Sequence, residues 1–132
     1  MEQSLLSKCV YKTLSQYSVD PATSTAKSLD YLLYFRKNCT LDFVESKIVE
    51  KDCAFDQMRA LGIDDKIVNQ CFLNSFIRVG DVDSYNEVLD GDAKVQEELG
   101  IYLHPGLTIN NITYRGYIEG EDVKEAICSS FT

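Results

Sequence analysis

Apolar positions recur at helical spacing through the first three quarters of the chain and then switch to alternation. Leu5, Leu6, Cys9, Val10 and Leu14 share one face and predict a first helix over residues 2–17. The polar stretch 18–25 reads as a loop. A second helix is predicted from Ser24 or Thr25, carrying Leu29, Leu32, Leu33 and Phe35; its Tyr31–Phe35 run is apolar nearly all round and predicts burial on several sides. Thr40 reads as the N-cap of a third helix with Leu41, Val44, Ile48 and Val49. Asp52 reads as the cap of a fourth over 53–61, stopped by Gly62. Asp64 opens a fifth through Ile67, Val68 and Cys71, and Asp83 a sixth that runs to Leu99 and stops at Gly100.

After Gly100 the period becomes two. Leu107 and Ile109 alternate with Thr108, Asn110-Asn111 supply the positive φ angles of a two-residue hairpin, and Ile112 and Tyr114 resume the alternation. A short amphipathic helix follows, with Glu121 and Asp122 in its first turn, where they complement the helix dipole. A Pro before a strand, then a hairpin, then a helix, resembles the closing half of the thioredoxin-like fold. The expected class is therefore helix-rich α/β: a partial thioredoxin-like fold in one domain, 1–132, helical over 1–100 and hairpin plus helix over 101–132.

Charge and cysteines narrow the chemistry. With 21 acidic against 13 basic residues the net charge is −8. That argues against nucleic acid as a partner, because phosphate binding needs clustered Lys and Arg. No apolar run approaches membrane-spanning length. The five cysteines, Cys9, Cys39, Cys53, Cys71 and Cys128, form no Cys-x-x-Cys pair, and His104 is the one histidine. Neither a redox dithiol nor a metal site is therefore expected, and no cofactor or catalytic residue is assigned. Two sequons, Asn38-Cys39-Thr40 and Asn111-Ile112-Thr113, mark Asn38 and Asn111 as glycosylation candidates and favour a luminal chain with disulfides over a cytosolic one with thiols. Asp64-Asp65 and Asp81-Val82-Asp83 read as helix-end chemistry rather than acid–base pairs. Asp90-Gly91-Asp92 lacks the remaining ligands of a calcium loop.

The segment Cys53-Ala54-Phe55-Asp56-Gln57-Met58-Arg59-Ala60-Leu61-Gly62-Ile63-Asp64, with Cys71 following, resembles the helical insertion of DsbA-like proteins. An ordered set of pieces resembles, more specifically, the central luminal region of plant-type vacuolar sorting receptors. The pieces are Ser7-Lys8-Cys9-Val10-Tyr11-Lys12; Asp30-Tyr31 with Phe35 to Cys39; Lys51-Asp52-Cys53-Ala54; Leu61-Gly62-Ile63 to Cys71; Asn86-Glu87-Val88-Leu89; and Leu107 to Gly116 with Ala126-Ile127-Cys128. The resemblance implies a piece of a type I receptor of the Golgi and endosome, whose luminal part also holds a protease-associated domain and EGF-like repeats. It implies cargo peptides or neighbouring domains as partners, with no direct membrane insertion by this chain. Read with the helix positions, it also implies disulfides Cys39–Cys53 and Cys9–Cys71, with Cys128 unpaired or bonded outside the chain; the residues alone leave the connectivity open.

The chain departs from a whole thioredoxin-like fold by beginning directly with a helix. An unpaired hairpin edge is therefore expected, a surface for docking another segment. In thioredoxin-like folds the bond before the Pro is cis, so His104, Pro105 and Gly106 are the candidate peptide-binding edge. Two alternatives to a cargo-receptor domain stand beside it: an assembly subunit docking through its open edge, and a fragment of a disulfide oxidoreductase.

Overall fold

The computed structural model describes residues 2–17, 20–39, 47–103 and 105–131, with the side chains of 47–50 left out. It forms two compact units, one ending at Glu87 and one beginning at Val88. The division falls within the part expected to be helical, ahead of residue 100.

The first unit holds α1 (Glu2–Tyr17), α2 (Pro21–Cys39), α3 (Lys47–Ala60) and α4 (Asp65–Asn74). α1 packs against α2 and α4, and α3 packs against α2 and α4, so the four helices close around one core. α1 contributes Leu5, Leu6, Cys9 and Val10, all buried, on a single stripe. α2 turns Ser24, Ser28, Tyr31, Phe35 and Cys39 inward. Its two small serines permit close approach, and Ser24 Oγ donates to Leu14 O of α1 at 3.2 Å. Ala54, Met58, Val68 and Phe72 fill the space from α3 and α4. Phe72 meets Phe76 edge-on at 5.3 Å between centroids, and Lys51 Nζ lies 4.5 Å over the Phe72 ring.

Local chemistry explains the ends. Asp20 caps α2: its carboxylate accepts from the amides of Ala22 and Thr23 and from Thr23 Oγ1, and these bonds, the Thr23 hydroxyl first, hold its pKa below the ordinary value. Pro21 then occupies the first helical position, where a missing N–H costs nothing. The helix therefore starts earlier than Ser24, inside what the sequence suggests is loop. Asp64 caps α4 by accepting from Lys66 N and Ile67 N. Gly62, at φ +65°, ends α3 in a Schellman motif: Gly62 N bonds Arg59 O at 3.0 Å and Ile63 N bonds Met58 O at 2.8 Å. Ile63 and Met58, the positions whose apolar contact typically accompanies such a motif, are both buried.

Three further expectations are corrected. The helix expected to begin at an Asp52 cap is instead part of α3, which runs unbroken through Asp52; an exposed Asp inside a helix costs too little to stop it. Thr40, Leu41 and Val44 lie outside the described residues. The sixth helix, α5 (Glu87–Glu98), starts after Asp83, because that residue belongs to a turn in which Ser84 N bonds Asp81 O. Of the apolar run in α2, Tyr31 and Phe35 are buried but Leu33 is 65% exposed, so the helix is covered on one side only.

The second unit comprises α5 from Val88 on, a hairpin of β1 (Thr108–Ile109) and β2 (Ile112–Thr113), and α6 (Gly120–Ser129). Thr108 pairs with Thr113 and Ile109 with Ile112, antiparallel. Asn110 and Asn111 take φ +51° and +63°, the left-handed turn that matches strand twist. α6 carries Glu121 and Asp122 in its first turn. No described residue of this unit is fully buried.

Candidate functional site

Main-chain register determines what the hairpin offers. Ile109 and Ile112 flank the two-residue turn, and Tyr114 N donates to Leu107 O at 2.9 Å. In an antiparallel pair, bonded and non-bonded positions alternate, so Thr108 and Thr113 point their amides and carbonyls outward. Among the described residues β1 thus presents Thr108 as a short free edge. The backbone leading to it is tightly folded: a side chain at Gly106 would collide with Ile101 Cγ2 and lie 2.8 Å from Leu103 O, so only glycine fits. Pro105 is exposed. His104, and with it the His104–Pro105 bond, lies outside the described residues. On the opposite strand Ile112 is 72% exposed.

Four of the five cysteines are tied within the first unit. Cys9 of α1 is bonded to Cys71 of α4, and Cys39 of α2 to Cys53 of α3. Cys128, on α6, is an exposed free thiol. Asn38 sits in the last turn of α2, where its Nδ2 donates to Gln57 Oε1 at 2.7 Å. Asn111 sits at the hairpin tip, exposed.

A feature that sequence reasoning missed lies in the first unit. Leu14 and Tyr17 of α1, Lys27 of α2, and Ile63, Asp64 and Ile67 around the start of α4 line an open cleft of about 340 Å³. Its surface is more apolar than polar, and Lys27 Nζ, 3.5 Å from Gly62 O, stands at its side. The lining comes from segments more than fifty residues apart in sequence, so no local pattern announces it.

Comparison with known proteins places the chain. A family model described as the vacuolar sorting receptor thioredoxin-like domain matches residues 1–128. The chain belongs to this family. It is 31% identical over 136 residues to vacuolar-sorting receptor 4 of Arabidopsis thaliana and 30% identical over 138 residues to vacuolar-sorting receptor 1 of Pisum sativum, each covering 98% of this chain. It is 32% identical over 130 residues, 92% of the chain, to vacuolar-sorting receptor 5 of Arabidopsis thaliana. The matches span only about a fifth of those receptors' length, 19% or 20%. No solved structure matches. As a receptor-family domain it is helix-rich, with a small two-stranded antiparallel sheet. No described helix is long and apolar enough to cross a membrane.

Proposed function

We propose that this chain is a non-enzymatic luminal domain of a cargo-sorting receptor of the Golgi and endosome, and that it contributes to recognition of peptide sorting signals. The match of residues 1–128 to the receptor family's thioredoxin-like domain carries the reading. The free edge at Thr108 supplies a means: an extended peptide adds as a strand, its main chain bonding the outward amide and carbonyl and its side chains falling beside those of Leu107 and Ile109. Such binding requires no catalyst, in keeping with a thioredoxin relative that lacks Cys-x-x-Cys.

The test is titration of the full chain with an extended synthetic peptide bearing a vacuolar sorting signal. Thr108→Pro removes an outward N–H without touching a bond within the hairpin, and should weaken binding by about tenfold, roughly 1.4 kcal/mol. Lys27→Ala should leave it unchanged. The opposite result would move the site to the cleft of the first unit, and no binding by the unaltered chain would defeat the reading. Exposed Tyr102, Leu103, Tyr117 and Phe131 favour a second role beside this one, docking on neighbouring domains of the same receptor.

A further inference from the structure

We infer that the two sequons are not equivalent: Asn111 carries an N-linked glycan and Asn38 does not. The inference rests on the luminal reading, since only there does the chain meet the transferase. In the transfer, Asn111 Nδ2 bonds the anomeric carbon of an oligosaccharide held on a polyprenyl diphosphate. The carbon–oxygen bond to phosphate breaks, the lipid diphosphate leaves with the electron pair, and the amide nitrogen gives up one proton.

Transfer takes place on a chain entering the lumen, so what the fold decides is which glycan it can carry. Asn111 is the second residue of the hairpin turn, at φ +63°, and both it and the next residue are exposed. Its neighbour Asn110 is the turn residue that is tied down, donating from Nδ2 to Ser130 O at 3.4 Å. Among the described residues Asn111's own amide has no such tie. A sugar there projects from the end of the hairpin, and Thr113 completes the sequon from β2 without giving up its place opposite Thr108.

Asn38 is exposed as well, and what sets it apart is that its amide is engaged. It lies in the last turn of a helix, and the nitrogen that would bear the sugar is 2.7 Å from Gln57 Oε1 on α3. The middle residue of its sequon, Cys39, is 8% exposed and bonded to Cys53, whose Sγ lies 3.7 Å from Asn38 O. A glycan on that nitrogen would lie against the contact that the Cys39–Cys53 bridge holds closed.

The experiment is secretion of the full chain from a eukaryotic host, with intact mass measured before and after peptide N-glycosidase. One enzyme-sensitive glycan is expected on the unaltered chain, on Asn38→Gln and on Thr113→Ser. It should be absent from Asn111→Gln and from Thr113→Ala; the latter leaves the left-handed Asn in place, so loss of the glycan there is not a folding effect. An unchanged mass shift in Asn111→Gln, or a second glycan removed by Asn38→Gln, would overturn the inference. So would a chain secreted with both disulfides and no glycan, a result that leaves the luminal reading standing. The native protein with all five thiols reduced and no glycan would instead defeat the luminal reading itself.

Discussion

Both units of this chain contain amphipathic helices, yet among the described residues only the first has an interior. Every buried apolar side chain among the described residues, from Leu5 to Phe76, belongs to the first unit. In the second, α6 sets Val123, Ala126 and Ile127 on one stripe against Glu121, Asp122, Lys124 and Glu125, and none of the three is fully buried. Tyr102, Leu103, Tyr117 and Phe131 are each more than three-quarters exposed. Amphipathicity states that a face is suited to burial, not what will bury it. The first unit answers with its own helices and two covalent ties; the second carries the same kind of face as a surface available to others.

That contrast can be broken, first, at its strongest point. Replacing Cys9 and Cys71 by Ala removes a link spanning 62 residues, which constrains the unfolded chain by about 4 kcal/mol in the chain-entropy model. Urea unfolding followed by far-ultraviolet dichroism should show that loss, while the Thr108–Thr113 hairpin resonances stay in place; their collapse would show that the units fold as one.

Side-chain truncation sharpens the same difference. Met58→Ala, at a site with no exposure, should cost about 3 kcal/mol. Ile112→Ala, at 72% exposure, should change stability by no more than about 0.5 kcal/mol. Comparable losses at both positions would mean that the hairpin face is covered in solution.

The smallest effect concerns Tyr31, whose phenol is pushed up by burial and eased back partly by the hydrogen bond that Gln3 Nε2 donates to it at 3.1 Å. The unfolded chain ionises first, at about pH 10, so this contribution is complete below that pH and declines as pH rises toward the folded value. Tyr31→Phe should flatten the alkaline fall in melting temperature; an identical fall would place Tyr31 in water.

What could be read from sequence was what local chemistry decides. Asp64 and Gly62 bracket the α3–α4 turn through bonds to residues within five positions, and Asn110-Asn111 specify a turn by their own backbone preference. Asp20-Pro21 used equally local chemistry, but its loop-like neighbours disguised it. Asp52 shows the converse, since a residue able to cap does so only where the helix has another reason to begin. The exposed side of α2 and the cleft beside Lys27 depend on how helices are stacked, and no short window of sequence contains that information.

The two disulfides are nested, with Cys39–Cys53 lying inside the span of Cys9–Cys71. A protease that severs the chain between α1 and α2 leaves its halves joined by the outer bridge. One that cuts between Cys39 and Cys53 leaves them joined twice. Anywhere between Cys9 and Cys71, a single clip is then a scar and not a release: the two pieces stay joined until a reductant opens the bridge.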